Sequence, residues 1–201
     1  MTVDIKGTQI RLNFSFVFVL TLMLIFCRQD IVLMCALSSL LHELGHILFM
    51  LAFKQRILSV DFGAFGVRIE KVNNVTLSYK KESLVALGGI IINLVLAFLS
   101  IMYYYFIGNQ LSLMFALINM LIACFNCVPI EVLDMGRALK SWLMIKLECE
   151  RAEKTLNIIS FIFVNVLAVA CCIYTAFFKV NVSLIAVTVY LYIITLFKKW
   201  S

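Results

Sequence analysis

Charge is scarce in this sequence: Asp, Glu, Lys and Arg make up 14% of 201 residues, while 64% are hydrophobic. A soluble domain carries about a quarter charged residues and about half apolar ones, so water alone does not solvate such a surface and no separate soluble module fits. Proline is rarer still, a single residue at Pro129, and histidine is confined to His42 and His46. Seven cysteines, an odd number, sit mostly inside apolar stretches, where a thiol acts as a small hydrophobe. A disulfide framework is therefore not expected, and the Cys124-x-x-Cys127 pair has no partner pair to suggest metal or redox chemistry. No basic cluster is interleaved with aromatic residues, which excludes a nucleic-acid partner despite the net charge of +6.

Long apolar runs are abundant. They fall at 12–27, 31–53, 83–107, 110–133, 155–178 and 180–197, and a membrane-crossing helix needs about 20 mostly apolar residues. The pattern predicts an all-α integral membrane protein of about six transmembrane helices, one domain over 1–201. The first run is followed by Arg28 and Gln29 rather than a small-residue cleavage site, so it is expected to persist as a span rather than be removed as a signal peptide. With six spans, all of the 17 basic residues except Arg28 and Lys179 fall on one side. Cytoplasmic loops retain Lys and Arg, so both termini are expected in the cytoplasm, and anionic lipid accounts for the net charge.

The segment Leu41-His42-Glu43-Leu44-Gly45-His46 lies within the second run and holds both histidines. Random placement would give the H-E-x-x-H pattern in about one such sequence in three thousand. A spacing of four residues puts two imidazoles on one helical face, where they can supply two nitrogen ligands to Zn²⁺, a catalytic site adding a third protein ligand and leaving a position for water. Glu43 is then the expected general base. A buried polar cluster bracing two helices is the plainer alternative. It places ionisable groups where hydrocarbon penalises them, and such groups in a membrane are usually functional.

No third histidine remains. Carboxylates near the end of the fourth run are the candidates, Glu131 and Asp134, just past the proline that interrupts the helix. The H-E-x-x-H motif lies about 16 to 22 Å along the second span, towards the cytoplasm. The fourth span runs in the same direction and delivers Asp134 at its cytoplasmic end.

His42 to His46, together with Asn126, Pro129, Leu133, Asp134, Gly136 and Arg137, resemble the two signatures of the site-2 protease family, H-E-x-x-H and N-x-x-P-x-x-x-L-D-G-G-R. Met135 stands where the second signature has glycine. Gly88, Gly89 and Asn93 resemble the family's glycine-rich stretch ending in asparagine. The resemblance implies one zinc ion held by His42, His46 and Asp134, in preference to Glu131, with Glu43 as catalytic base. Asn93, Asn126 and Pro129 are expected at the substrate, a membrane-embedded or membrane-adjacent protein segment. The chain is also similar to the small bacterial sporulation-factor branch, which implies a bacterial cell or forespore membrane, a sigma-factor precursor as substrate and a membrane regulator as further partner. A metal transporter or chaperone, or an inactive homologue, is the competing reading.

Between the second and third runs, Ile57 to Tyr79 partly alternates and is broken by glycine. This predicts a short interfacial β-hairpin, either a connector or an edge to which an extended substrate adds as a strand.

Overall fold

The computed structural model describes residues 2–5, 8–55, 57–63, 66–71, 77–177 and 182–199. The chain folds as two compact units, Met1–Cys124 and Phe125–Ser201.

The first unit runs β1 (Thr2–Ile5), β2 (Thr8–Leu12), α1 (Phe14–Phe26), α2 (Gln29–Ala52), β3 (Ile57–Gly63), β4 (Gly66–Lys71), α3 (Tyr79–Ile107) and α4 (Gln110–Asn126). Strands β3 and β4 pair antiparallel, Val60 opposite Ile69 and Phe62 opposite Val67. The residues between them at 64–65, and those at 72–76, lie outside the described residues. The sheet is larger than a hairpin. Its order is β1-β2-β3-β4, with β2 parallel to β3 in the register Gln9 to Ser59 through Leu12 to Phe62. Parallel neighbours need a long crossover, and here α1 and α2 together supply it. An expected tail is thus a pair of strands, tied down further by Arg11 beside Asp61 (3.8 Å) and by Phe16 edge-on to Phe62.

Glycine sets the packing of α2 on α3. A Cβ built on Gly45 would lie 2.5 Å from the Gly88 carbonyl oxygen, and one on Gly88 would lie 2.8 Å from that of Gly45, so the two backbones touch where no side chain fits between them. Next to this crossing, Met50, Leu77 and Val85 form a buried cluster with Phe49, Phe53, Ile57 and Ile69 packed against it. The cluster joins the ends of α2 and α3 to the sheet.

Among the described residues, three helices, α2, α3 and, in the second unit, α6 (Cys149–Phe177), are long and apolar enough to cross a membrane. Leu94, Phe98 and Leu99 on α3 and Ile158, Ile162 and Val166 on α6 are exposed, an apolar surface that belongs in hydrocarbon. The remaining expected spans are shorter as helices. α1 has 13 residues, about 20 Å of rise, because β2 takes Leu12 into the sheet and Asn13 starts the helix. Of the basic residues used for orientation, Lys6, Arg56 and Lys179 lie outside the described residues.

The second unit contains α5 (Asp134–Lys146), α6 and α7 (Val182–Lys199). The run expected to continue as one span to 133 instead leaves the helix at Asn126. Pro129 has no N–H for a helical ladder. The chain closes short turns instead, from Ile130 N–H to the Val128 carbonyl and from Leu133 N–H to the Ile130 carbonyl, both 2.8 Å. Ser160 Oγ accepts from Glu131 N–H at 3.0 Å. Ile130 and Leu133 pack with Val164 and Leu191, so the apolar residues beyond the proline fill a protein core rather than prolong a span. Asp134 accordingly opens a separate helix, α5, a correction to its expected place at the end of span four.

Gly45→Ala should cost about 1–3 kcal/mol, because overpacking forces α2 and α3 apart. At Gly108, φ is +72° with nothing within 4 Å of an added Cβ, and Asn tolerates that conformation, so Gly108→Asn should leave stability nearly unchanged. Thermal unfolding of both variants in detergent measures the contrast.

Candidate metal centre

A single helix, α2, positions three polar side chains in two directions. His42 and His46 face α3 and are 6% and 7% exposed. His42 Nδ1 lies 2.8 Å from Asn93 Oδ1, and His46 Nδ1 lies 2.8 Å from the Val85 carbonyl oxygen. The rings meet edge to face with centroids 5.0 Å apart. Their Nε2 atoms converge on Gly89: a Cβ there would sit 2.6 Å from that of His42 and 2.7 Å from that of His46. Nδ1 of each ring is thus engaged by the protein while Nε2 of each is directed to one place. This donor set fits a divalent ion such as zinc, whose histidine ligands carry a hydrogen bond on the other ring nitrogen.

Glu43, one position along, is turned about 100° round the helix. It lines a cavity of about 430 Å³ between α1 and α2, together with Phe16, Leu20, Met23, Val32 and Leu40. Gly63 of β3 also lines the cavity, and Glu43 is the one charged residue in its lining among the described residues.

Asn93, expected at the substrate, has no exposure. Its carboxamide is shared between His42 and Asn119, whose Oδ1 accepts from Asn93 Nδ2 at 3.1 Å. Asn119 in turn donates to Ser38 Oγ at 3.0 Å and to the Phe115 carbonyl at 2.8 Å. Sequence reading missed Asn119 and Ser38. Asn119 carried the same signal as Asn93, a lone amide in an apolar run, whereas a serine in a helix and the carbonyl of Val85 give no signal at all.

In the second unit, Asp134 is 5% exposed and occupies the first turn of α5, where a helix dipole favours negative charge. Gly136 is required there, since a Cβ would lie 2.0 Å from the Ile130 carbonyl oxygen. The preceding turn therefore folds back directly onto α5. Met135, which departs from the family signature, lies in regular helix. Glu131, the alternative ligand, has Oε1 3.4 Å from Lys140 Nζ, and Lys140 also reaches Glu153 at 2.7 Å. Burial lowers the pKa of Lys140, but the hydrogen bond to Glu153 and the charges of Glu131 and Glu153 outweigh it, so the ammonium stays above the ordinary lysine value. Glu131, Arg137 and Lys140 line a second cavity, of about 380 Å³. Asn126 ends α4, and Pro129 lies in the non-helical stretch after it. Cys124 and Cys127 are not joined in a disulfide.

No protein-family model matches the chain, and no curated protein matches it in sequence. Among solved structures it is similar to a site-2 protease from Methanocaldococcus jannaschii, at 19% identity over 96% of this chain and 92% of that one, with a TM-score of 0.66. The fold is thus that of a site-2 protease.

Gly89→Ala should weaken the binding of an added divalent ion while leaving helical content intact, because the new methyl occupies the space that both Nε2 atoms address. Metal titration alongside circular dichroism tests this, and a variant that binds the ion as tightly as the parent would show that the imidazoles do not act there.

Proposed function

We propose that this chain is a membrane-embedded zinc metalloendopeptidase that hydrolyses a peptide bond in or near a transmembrane segment of another protein. The observation carrying this reading is the division of α2. His42 and His46 present Nε2 on the α3 face with Nδ1 already engaged, and Glu43 opens onto an apolar cavity beside them. In this reading the third ligand is Asp134, a buried carboxylate in the first turn of α5, as the resemblance to the family's second signature implies. Similarity to a protein titled a site-2 protease supports the same reading.

A zinc ion held by His42, His46 and Asp134 would lower the pKa of water and polarise the scissile carbonyl. Glu43 takes the proton of the attacking water and returns it to the leaving amine. The cavity around Glu43 suits an apolar peptide segment, since apart from Ser39 and Glu43 its walls carry no polar side chain beyond the thiols of Cys27 and Cys35 among the described residues. Asn126 and Pro129, where the backbone leaves the helix, are assigned to substrate contact. In this proposal the whole chain works as one domain with six spans in a bacterial cell or forespore membrane, and both termini are cytoplasmic. Its substrate is a membrane-tethered regulator such as a sigma-factor precursor, and a membrane protein regulates it. A metal carrier has no use for a carboxylate turned away from the ligand face, which favours the protease.

Coexpression with candidate membrane-tethered transcription-factor precursors tests the proposal. Glu43→Gln should keep its zinc and lose cleavage by about 10²- to 10⁴-fold, the range for a general base, whereas His42→Ala should lose both. Equal cleavage by parent and Glu43→Gln rules the mechanism out.

A further inference from the structure

We infer that Asn119 is a positioning residue that fixes the tautomer of His42 through Asn93, so that a backbone carbonyl on α4 determines which nitrogen of a histidine on α2 is left to bind metal. The inference rests on the metal-site reading for its consequence, but its geometry stands independently.

The direction of each hydrogen bond fixes that of the next. The Phe115 carbonyl is only an acceptor, so the atom of Asn119 that meets it at 2.8 Å is Nδ2. That nitrogen also reaches Ser38 Oγ at 3.0 Å, which uses both of its hydrogens. Asn119 Oδ1 is then left facing Asn93 and accepts from Asn93 Nδ2 at 3.1 Å. With Nδ2 committed, Asn93 turns Oδ1 towards His42 at 2.8 Å. An oxygen at that place accepts only from a protonated Nδ1, which makes Nε2, the atom beside Gly89, the unprotonated nitrogen of the neutral ring. No amide in the chain can be flipped without setting two donors or two acceptors against each other.

Ser38, Asn93 and Asn119 are each 0% exposed, so water does not substitute for a missing link. His46 reaches the same state by a shorter route, since the Val85 carbonyl accepts directly from its Nδ1. Two ligands thus present the same nitrogen for different reasons: one is set by a neighbouring backbone carbonyl, the other by a relay of two amides. The relay is the more vulnerable because a side chain can be mutated and a carbonyl cannot.

The test uses the purified full chain in detergent, with Zn²⁺ as the probe in chelator competition and ¹⁵N resonances of the histidines reporting the tautomer of the metal-free protein. The parent should show His42 as the Nδ1–H tautomer alone. Asn119→Leu should populate both tautomers of His42, leave His46 unchanged, and bind zinc about 10- to 100-fold more weakly, the usual loss for a residue behind a metal ligand. Asn93→Leu should weaken zinc similarly, and the double variant no further than either single one, as for a linear relay. Parental zinc affinity with a single His42 tautomer in Asn119→Leu would overturn the inference. If that variant does not fold, Asn119→Asp decides by the same two readouts, since it keeps the shape but places an oxygen against the Phe115 carbonyl. A parent that binds no zinc, yet loses its single tautomer in the Asn119 variants, would remove the protease reading and leave the relay standing.

Discussion

The arrangement of α2 and α3 depends on the contact between their backbones at Gly45 and Gly88. Everything at the candidate centre depends on this separation. An imidazole buried among apolar helices loses its hydration, and leaving its N–H without an acceptor costs a few kcal/mol. His42 and His46 escape that cost only because α3 is near enough for Asn93 and the Val85 carbonyl to meet them at 2.8 Å. A methyl group at either glycine would widen the gap and unmake both bonds together. Gly89 answers a different need, since it clears the volume towards which the Nε2 atoms point. Three glycines within a few residues along two helices thus serve two purposes, close approach and free space.

The same helix separates tasks by rotation. Positions 42 and 46 return to one face because four residues are slightly more than a turn, and position 43 lands about 100° away. Ligand orientation is consequently carried out against α3, in a dry and hydrogen-bonded environment, while Glu43 faces a cavity with room for another molecule. Were the glutamate on the ligand face it would compete with Asn93 for the imidazoles. On the proposed function, the one-residue offset would let a base stand beside a metal without becoming part of its support.

How far the sequence foretells this varies with the range of the interaction involved. His42, Glu43 and His46 were legible because their relation is local and helical geometry alone fixes it. Apolar runs located the long helices α2, α3 and α6 for the same reason. The pairing of β2 with β3 was not legible, since it joins residues about fifty apart through a parallel register that no turn signal announces. The end of α4 was half legible. Pro129 marks the break, but Ile130 and Leu133 prolong the apolar run beyond it, and hydropathy does not distinguish a core residue in a turn from a lipid-facing one in a helix. Helix α5 went unseen because a short amphipathic segment rich in basic residues reads as a loop between spans. Asn119 shows the limit most sharply: its importance lies in which acceptor it meets, a property of the fold and not of its neighbours in sequence.

The sheet bears on orientation in a way that is independent of charge. Strands β2 and β3 lie side by side and parallel, so the chain enters α1 and leaves α2 at one end of that helical pair. If the pair crosses the bilayer, the amino-terminal strands and the β3–β4 segment share a side, whichever side it is. The distribution of basic residues assigns them the same side by a different physical effect, the retention of Lys and Arg in the cytoplasm. The sheet also restricts where an extended substrate could add. Strand β3, nearest the cavity through Gly63, has both edges filled by the chain's own strands. Any strand addition must therefore use the outer edge of β1 or of β4, and a peptide that reaches Glu43 from there has to pass along the sheet rather than pair with its centre.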